Sequence, residues 1–335
     1  MFNDKSILIT GGTGSFGRAC ARHILSHYQP ARLIIFSRDE LKQHEMQELK
    51  EFRAPCMRFF LGDVRDERRL VQAFRDVDTV IHAAALKQVP AAEYNPHEFI
   101  KTNINGAMNV VSAALECRVS RVVAVSTDKA VNPVNLYGAT KLCSDKVFVA
   151  SNSYAGRTST RFAVVRYGNV IGSRGSVIPK LLRQRAHGKL TITDPRMTRF
   201  LIDLRAGVEF VLDCVGKMRG GEIFVPKLPS CRIGDLVDAM SAGCTVETIG
   251  RRPGEKMHET LIAADDAGNT RELDDRFVIA PTHPHWRYDA DAIGGRRCPD
   301  GFTYTSDTNP DQLSPERIRE ICRDVAREMG LDDNF

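Results

Sequence analysis

Tyr137 and Lys141 are the residues whose types and spacing point most directly to chemistry. They lie four positions apart in the segment YGATK, so on a helix their side chains share one face. A lysine ammonium in that position lowers the pKa of the tyrosine phenol, and it can also hold a ribose hydroxyl. The same spacing occurs on ordinary solvent-facing helices, so the surrounding elements must decide between these interpretations.

A second group of candidate residues, Thr127, Asp128 and Lys129, follows an apolar run at residues 121–126. Such a run predicts a strand, and ligands bind at the carboxyl ends of the strands in open α/β sheets. Thr127 and Asp128 are also explained if they only cap the next segment, but that leaves Lys129 unexplained. An acid and a lysine side by side can serve as a proton donor and a base. A base must be neutral, so we expect burial or nearby positive charge to lower the pKa of the lysine.

The elements that must position these residues alternate between short apolar runs and stretches with helical spacing. Continuous apolar runs are typical of strands buried on both faces of a sheet, and they fall at residues 7–9, 33–36, 57–61, 80–81, 122–125 and 164–165. Intervening segments such as 16–28 and 104–117 are long enough for crossover helices. The predicted fold class is α/β, a Rossmann-like doubly wound parallel sheet with a smaller, loop-rich C-terminal part that binds substrate.

The domain organisation follows from where this alternation weakens. After about residue 167, Gly, Pro and Arg become frequent, so we expect residues 1–167 to form a cofactor-binding domain that includes the tyrosine–lysine helix. Residues 168–335 should bind mainly substrate, with some segments returning to the Rossmann core. Near the end, Ser314, Pro315 and Glu316 predict a closing helix, because they supply a cap, a first-turn proline and an acidic residue near the positive helix end.

A glycine-rich turn opens the first predicted helix. The strand at residues 6–10 runs into GGTGSFG, which has glycines at its first, fourth and seventh positions. Backbone amides at a helix N-terminus can then closely approach a pyrophosphate. A glycine-rich turn alone can be only a turn, but the preceding strand and following helix favour a dinucleotide site. Its predicted residues are Gly11, Thr13, Gly14, Ser15, Phe16 and Gly17.

The end of the second strand distinguishes NAD from NADP. An acidic residue there would bond the ribose hydroxyls and repel a 2′-phosphate, whereas this chain has Ser37 and Arg38, whose hydroxyl and guanidinium suit a phosphate. Lys42 adds positive charge one helical turn later, whereas the acidic Asp39 nearby favours NAD. The same residues would also suit an ordinary charged helix start. We therefore expect NADP. The other predicted cofactor residues are Asp39, Glu40, Leu41 and Lys42, Asp63 and Val64 beside the adenine, Ala83 and Ala85 as small residues where the cofactor must pass close to the protein backbone, and Tyr137 and Lys141.

Composition excludes several other classes of protein. The 47 basic and 42 acidic residues are interspersed, which favours a small anionic ligand over nucleic acid. Nine cysteines without C-x-x-C spacing indicate reduced thiols. We expect a cytoplasmic protein with no membrane association, because no signal segment or apolar stretch of about 20 residues is present. His283 and His285 lack further ligands at metal-site spacing, so a loop and no metal are expected, and His82 should bond to backbone.

Longer segments carry a specific resemblance. They are the glycine loop, SRDELKQ (37–43), HAAALKQVP (82–90), STDKAVNPVNLYGATKLCSDK (126–146), RYGNVIGSRGSVIP (166–179), DPRMTRF (194–200) and RPGEK (252–256). With these segments the chain resembles the inverting UDP-N-acetylglucosamine 4,6-dehydratases of pseudaminic acid biosynthesis, in the soluble branch of that family, within the extended short-chain dehydrogenase/reductase superfamily. The segments extend in matching order over roughly residues 1–280, and the tail beyond Pro281 matches poorly.

The resemblance implies an NADP-dependent cycle with no net oxidation. Tyr137 would take the proton of the C4 hydroxyl as C4 is oxidised, Lys129 would remove the C5 proton, and Asp128 would protonate the departing C6 hydroxyl. Hydride return to C6 and protonation of C5 from the opposite face would give UDP-2-acetamido-2,6-dideoxy-β-L-arabino-hex-4-ulose. Related retaining dehydratases have a glutamate at the position of Lys129, which favours inversion here.

The resemblance also implies substrate contacts and self-association into a homo-oligomer. Guanidinium groups suit a diphosphate because of their fork geometry, although each arginine alone is also an ordinary surface residue and Asn169 could instead cap a backbone. Two alternatives stay open: a UDP-sugar 4-epimerase or retaining dehydratase, which needs no lysine base, and an NADP-sensing scaffold, which needs neither acid nor base. The residues expected to hold UDP-N-acetylglucosamine are Lys87, Asn169, Val170, Arg174, Arg199, Arg252 and Glu255.

Overall fold

The computed structural model describes residues 1–156, 158–173, 175–282 and 288–331. Arg174, His283 and His285 lie outside these residues. The substrate contact expected at Arg174 and the loop expected around the two histidines therefore stay predictions.

Strands and helices alternate over the first two thirds of the chain and become shorter after it. The strands are β1 (Ser6–Thr10), β2 (Arg32–Ser37), β3 (Met57–Leu61), β4 (Thr79–His82), β5 (Arg121–Thr127), β6 (Arg161–Tyr167), β7 (Asn169–Val170), β8 (Lys189–Ile192), β9 (Thr198–Ile202), β10 (Ile223–Pro226), β11 (Ser230–Arg232), β12 (Thr245–Thr248), β13 (Thr260–Ile262), β14 (Thr270–Glu272), β15 (Arg276–Ile279), β16 (Arg296–Arg297) and β17 (Tyr304–Thr305). The helices are α1 (Ser15–His27), α2 (Glu40–Glu48), α3 (Glu67–Phe74), α4 (Val89–Tyr94), α5 (Pro96–Phe99), α6 (Gly106–Glu116), α7 (Leu136–Ala150), α8 (Val177–Arg185), α9 (Leu204–Lys217), α10 (Ile233–Asp238) and α11 (Pro315–Glu328).

A parallel sheet forms the centre of the fold. Its strands lie in the order β3-β2-β1-β4-β5-β6-β10, and each neighbouring pair is parallel. The order reverses on either side of β1, which is the arrangement of a doubly wound fold and places a crevice at the carboxyl ends of β1 and β4. The fold class predicted from the apolar runs is confirmed.

Helices cover both faces of this sheet because alternate residues of each strand point to opposite faces. Ile7 and Ile9 of β1 belong to the core cluster that contains Ile24 of α1, together with residues of α9. Leu8, between them, belongs to the cluster that contains Phe74 of α3, together with residues of α6 and α7. All three β1 side chains are fully buried, which explains why the strand reads as a continuous apolar run.

Later segments both extend the central sheet and build a separate layer. After β10, strand β15 pairs antiparallel with it, and β14 and β16 follow, so these three strands extend the sheet away from β1. Helices α8, α10 and α11 share a third apolar cluster, which includes Leu182, Leu236 and Cys322. The division of the chain at residue 167 stays a prediction, with β10 and β14–β16 as segments that join the central sheet.

The closing helix begins at the residue that the sequence predicted. Ser314 is the N-cap of α11, its hydroxyl accepts a hydrogen bond from the Arg317 N–H at 3.3 Å, and Pro315 occupies the first turn. Within the residues that the structure describes, no helix has the length and apolar character needed to cross a membrane. The same residues contain no cluster of three or more His, Cys, Asp or Glu side chains suited to a metal ion.

Candidate active site

The glycine loop brings β1 and α1 into close contact with the neighbouring backbone. Gly11 has φ +67°, and a Cβ atom there would lie 2.9 Å from the backbone of Ala84. A Cβ atom at Gly17 would lie 2.5 Å from the Gly12 Cα. Gly14 is the N-cap of α1 and offers no side chain to the first-turn amides, which normally lack partners within a helix. The loop therefore fits a pyrophosphate held by the N–H groups of α1.

The end of β2 holds a serine and an arginine with different surroundings. The buried Ser37 hydroxyl accepts from Gln43 Nε2 at 3.1 Å. Arg38 is about half exposed and lies 3.7 Å from Asp63. Asp39 caps α2 by accepting from the Lys42 N–H at 3.0 Å and also pairs with the Lys42 ammonium, which lowers the pKa of the aspartate. Lys42 is thus paired with Asp39, whereas Arg38 is about half exposed and contacts Asp63 only at the longer distance of 3.7 Å.

Asp63 and Val64 follow β3 at the same edge of the sheet. Asp63 accepts from Arg65 Nε at 3.0 Å and from Arg65 Nη2 at 2.7 Å, so the contact with adenine that the sequence suggested stays a prediction. Val64 is buried and packs against the position of Gly106, where a Cβ atom would meet its side chain at 2.8 Å. The remaining predicted residues at this end differ in exposure: Ser15, Glu40, Leu41 and Ala85 are exposed, Phe16 and Ala83 are half-buried and Thr13 is buried.

Helix α7 sets the position of the predicted catalytic residues. The Asn135 side chain caps the helix by accepting from the Gly138 N–H at 2.8 Å. A Cβ atom at Gly138 would lie 2.2 Å from the Lys129 carbonyl oxygen, so the helix packs directly on the short 3-10 turn Asp128–Ala130 after β5. Tyr137 is 9% exposed, and Thr127 lies within hydrogen-bonding reach of its phenol. The turn and the start of the helix therefore form one packed unit.

Tyr137 and Lys141 do not interact as the sequence suggested. Lys141 is buried, its ammonium donates to the Val125 carbonyl at 2.9 Å, and burial lowers its pKa. The pKa of Tyr137 is raised to about 12, mainly because burial disfavours the phenolate, with Lys129 and Thr127 opposing. The expected lowering of the tyrosine pKa by Lys141 is therefore wrong for this structure. The lysine that acts electrostatically on the phenol is Lys129.

Lys129 occupies the centre of a charged cluster. Its Nζ lies 3.0 Å from Asp128 Oδ1, 3.4 Å from Glu259 Oε1 and 3.5 Å from Asn169 Oδ1. Burial acts to lower the lysine pKa, but the two carboxylates outweigh it and the pKa is raised above its ordinary value. The lowered pKa expected from the sequence is therefore wrong, because that expectation left out the effects of Asp128 and Glu259 on the lysine.

The predicted substrate residues fall into two groups. Lys87, Asn169 and Arg199 lie near Lys129. Desolvation and the charge of Lys129 lower the pKa of Lys87. Arg199 points into the protein and donates to the carbonyls of residues 198, 256 and 257 at 2.7, 3.1 and 3.2 Å. The exposed Arg252 has its backbone N–H bonded to Glu255 at 3.1 Å. Val170 pairs with Ile202 in the small sheet.

Three further residues support the site and were not identified from the sequence. Asn103 lies in a π-helical segment (Ile100–Asn105) and clamps Leu86, accepting from its N–H and donating to its carbonyl, both at 2.9 Å. Asn135 donates to the Gly254 carbonyl at 2.7 Å and so ties the RPGEK loop to α7. Asn135 stands in a helix-cap position that the sequence does signal, whereas Asn103 and Glu259 carry no such pattern.

His82 also differs from expectation. Its Nδ1 shares a hydrogen bond of 2.8 Å with the Thr10 hydroxyl rather than with backbone. Burial, together with Lys141, lowers its pKa to about 3. The ring is therefore a neutral link between β1 and β4 below the site.

These features define the class of protein. A parallel sheet in this strand order, a glycine loop before α1 and a Tyr–Lys pair on the helix after β5 are together typical of an extended short-chain dehydrogenase/reductase. The family described as polysaccharide biosynthesis protein matches residues 7–281. The chain belongs to this family.

Individual relatives extend over nearly the whole chain. A UDP-N-acetylglucosamine 4,6-dehydratase (inverting) of Campylobacter jejuni subsp. jejuni serotype O:2 is 55% identical over 330 residues, covering 96% of this chain and 98% of that protein. A UDP-glucose 4-epimerase of Rickettsia canadensis is 40% identical and covers 96% of each chain. The X-ray structure of Pen from Bacillus thuringiensis superimposes with a TM-score of 0.88 at 36% identity, covering 99% of this chain and 100% of that one. The Campylobacter alignment continues beyond Pro281, where the sequence resemblance predicted a poor match.

Proposed function

We propose that this protein is a UDP-N-acetylglucosamine 4,6-dehydratase that inverts C5. The observation that carries the proposal is the ion pair of Asp128 and Lys129, 3.0 Å apart at the carboxyl end of β5 and close enough to Tyr137 to act on its phenol. An acid and a base in contact beside a tyrosine are what elimination of water from an oxidised sugar requires. The inverting Campylobacter relative supports the same substrate and outcome.

The proposed roles follow the chemistry of each side chain. Tyr137 receives the proton of the C4 hydroxyl as C4 gives up a hydride, and the resulting C4 ketone acidifies the proton on C5. Lys129 removes that C5 proton, Asp128 gives its proton to the C6 hydroxyl, and water leaves. A hydride then returns to C6 and a proton reaches C5 from the opposite face, which inverts this centre.

Proton transfer within the ion pair prepares it for these roles. Lys129 donates to Asp128 Oδ1 at 3.0 Å, and the raised pKa of Lys129 favours its ammonium form. A shift of that proton along the hydrogen bond produces the neutral amine and the carboxylic acid that elimination needs. The cost of this shift depends on how strongly the surroundings favour the ammonium.

The cofactor proposed for this site is NADP, held by the glycine loop and by Arg38. Bound NADP would store the hydride from C4 and return it to C6. Arg38 is a half-exposed cation at the end of β2, while Asp39 is paired with Lys42. An acidic side chain that is already paired repels a 2′-phosphate less than a free one.

UDP is proposed to lie between the central sheet and the loop-rich part formed mainly by residues 168–335. A Cβ atom at Gly175 would lie 2.9 Å from the Gln88 side chain, so the loop after β7 meets the loop that carries Lys87. Burial lowers the pKa of Lys180 on α8, and the charges of Arg252 and Glu255 also act on this lysine. These converging cations suit a diphosphate. Arg174 stays in the proposed substrate set.

NMR of the purified protein with UDP-N-acetylglucosamine in deuterated water tests the proposal. The expected product is a 6-deoxy-4-keto sugar with deuterium at C5 and inverted C5 stereochemistry. Unchanged substrate, or a product that keeps the C6 hydroxyl, would contradict it. The same solution in ordinary water serves as the control for mass and coupling pattern.

The second candidate is a UDP-sugar 4-epimerase, which the Rickettsia relative favours. Epimerisation needs Tyr137 and the cofactor but no acid and base for water loss. In the same NMR experiment it would give the C4 epimer with no deuterium at C5. A retaining dehydratase would give the 6-deoxy-4-keto sugar with C5 configuration unchanged.

A cytoplasmic location and a homo-oligomeric state belong to the same proposal. Pseudaminic acid biosynthesis is the proposed pathway by resemblance. Light scattering after size exclusion measures the oligomeric state, and a single 37.3 kDa species would contradict self-association.

A further inference from the structure

Glu259 is a buried carboxylate beside the proposed base, and no step of the proposed cycle uses it. It is 2% exposed and directly precedes β13. Its N–H donates to the Ser306 hydroxyl at 2.9 Å, and its carbonyl accepts from the Ser306 N–H at 2.9 Å. Both backbone groups are therefore fixed, which fixes the origin of the side chain.

Three cations surround this carboxylate. Its Oε1 lies 3.4 Å from Lys129 Nζ and 3.7 Å from Arg199 Nε, and its Oε2 lies 3.8 Å from Lys256 Nζ. Oε2 has no hydrogen bond among the residues that the structure describes. A buried carboxylate with so few hydrogen bonds is costly to desolvate, and such pairs contribute little net stability. The burial of Glu259 is therefore better explained by an effect of its negative charge on the neighbouring cations than by a contribution to the stability of the fold.

The negative charge of Glu259 acts on Lys129, and ionisable side chains from several other elements also surround this lysine. From outside its own turn, Lys129 is faced by Lys87 after β4, Tyr137 on α7, Arg199 on β9 and Lys256. The three cations in this set disfavour an ammonium at Lys129. Asp128 and Glu259 favour it, and together they keep the lysine pKa raised despite burial. Asp128 gives up its own proton in the proposed cycle, whereas Glu259 exchanges none.

We propose that Glu259 is a positioning residue for the base: a constant negative charge that holds Lys129 Nζ between two carboxylates and stabilises the ammonium formed when the amine removes the C5 proton. The inference rests on the proposed function, in which Lys129 is the base. In that step an N–H bond forms as the C5–H bond breaks, and the electron pair of that bond moves toward C6 as the hydroxyl leaves with the proton of Asp128. Positive charge appears on Nζ, 3.4 Å from Glu259.

Amine reactivity measures the predicted coupling without turnover. In Glu259→Gln, the neutral fraction of Lys129 at fixed pH should rise, because one of its two carboxylates is lost. Acetylation of Lys129 by acetic anhydride, quantified on its peptide by mass spectrometry, should be at least about tenfold faster than in the wild type, the effect of a pKa change of about one unit or more.

Glu222→Gln is the matched control. Glu222 is also a buried carboxylate, 1% exposed, and it accepts from the N–H groups of Arg219 and Gly220 at 2.8 Å, away from Lys129. This variant should lose stability and leave the labelling of Lys129 unchanged. If both variants accelerate labelling equally, loosening of the fold is the cause and the inference is wrong.

Turnover supplies the second measurement. Glu259→Gln should lower kcat at least about tenfold with little change in KM for UDP-N-acetylglucosamine, because Lys129 Nζ is no longer held in position between two carboxylates. Glu259→Asp should show smaller effects of the same sign in both assays. If Glu259→Gln does not fold, the labelling and turnover of Glu259→Asp test the inference in its place. Unchanged labelling or unchanged kcat overturns the inference. A wild type that forms no 6-deoxy-4-keto product overturns the proposed function instead, whatever the labelling shows.

Discussion

At the residue scale, burial and nearby charges act against each other on the pKa values of Tyr137, Lys141 and Lys129. Burial raises the pKa of Tyr137 to about 12 and lowers the pKa of Lys141. At Lys129, burial is outweighed by Asp128 and Glu259, and the pKa is raised. A tyrosine with this pKa accepts a proton only where nearby positive charge stabilises the phenolate. The ammonium of Lys129 supplies such charge, so the proposed base also prepares the tyrosine.

Replacing Lys129 by alanine should abolish most of the water elimination while leaving cofactor binding intact. The variant keeps the glycine loop and Arg38, so we expect cofactor affinity to be unchanged, while product formation falls by about 10²- to 10⁴-fold because the base is lost. Calorimetry gives the affinity and NMR gives the product. Lys146→Ala, an exposed position on α7, is the control and should turn over normally. Undiminished turnover by Lys129→Ala would remove this residue from the mechanism.

Arg38 provides the corresponding test of cofactor preference. Charge-assisted hydrogen bonds contribute roughly 1.5–3 kcal/mol, so Arg38→Ala should weaken NADP binding by about ten- to a hundredfold and leave NAD binding nearly unchanged. Both dissociation constants can be measured by titration calorimetry. Arg68→Ala, at an exposed position on α3, should change neither. Equal losses for the two dinucleotides would mean that Arg38 does not recognise the 2′-phosphate.

At the element scale, the turn after β5 and the start of α7 form the unit on which the proposed chemistry depends. Asn135 caps the helix and holds the RPGEK loop at the Gly254 carbonyl. Lys256 of that loop donates to the Val131 carbonyl at 2.5 Å. A segment more than a hundred residues away in the chain thus contacts both ends of the connection between β5 and α7. Small displacements here should alter the geometry of Asp128 and Lys129 more than the stability of the fold.

Gly138→Ala tests this packing. The added Cβ would lie 2.2 Å from the Lys129 carbonyl, so the turn must move, at a cost of about 1–3 kcal/mol, with a large loss of kcat. Gly207→Ala in α9 is the matched control, because its Cβ would meet only Ile202, at 3.5 Å, and alanine favours a helix by roughly 0.5–1 kcal/mol over glycine. Urea unfolding and steady-state kinetics measure both effects. Equal activity in the two variants would contradict the packing argument.

The sequence predicted the elements better than the electrostatics. The runs at residues 7–9 and 33–36 were recognisable because strands buried on both faces need apolar residues at every position, and a Tyr–Lys pair at helical spacing needs only local order. Glu259 and Lys129 are far apart in the sequence and come into contact only in the folded chain, so no local sequence pattern predicts their contact. The direction of the Lys129 pKa depends on charges from several distant segments, and for that reason it was predicted wrongly.

At the scale of the whole molecule, the site lies at the edge of a sheet in which a buried hydrogen bond between two side chains joins the neighbouring strands β1 and β4. Thr10 ends β1 and His82 ends β4, and their side chains share a hydrogen bond in the core. The His82 ring also packs on Phe148 of α7, 5.4 Å between ring centroids. Protonation of this histidine would place a charge beside the Lys141 ammonium in the middle of the fold. Folding therefore requires that His82 be neutral.

Acid should consequently destabilise the whole protein through His82. Its pKa is about 3 in the folded state and near 6.5 when unfolded, so the unfolded chain binds the extra proton as the pH falls below about 6.5. The stabilisation is complete above that value and decreases toward pH 3. Linkage gives a loss of about 2 kcal/mol between about pH 7 and pH 5 from this residue alone. His23, whose pKa is also lowered mainly by burial, adds a smaller effect of the same sign.

The measurement is the free energy of unfolding in urea as a function of pH. His82→Asn lacks the titrating group, so its stability should fall by about 2 kcal/mol less than that of the wild type over the same interval, whatever its stability at neutral pH. Thr10→Ser keeps the histidine and a hydroxyl partner, and should keep the wild-type slope. If His82→Asn shows the same slope as the wild type, the acid sensitivity arises elsewhere. A slope reduced only in His82→Asn would show that the link between β1 and β4 sets the acid limit of the fold.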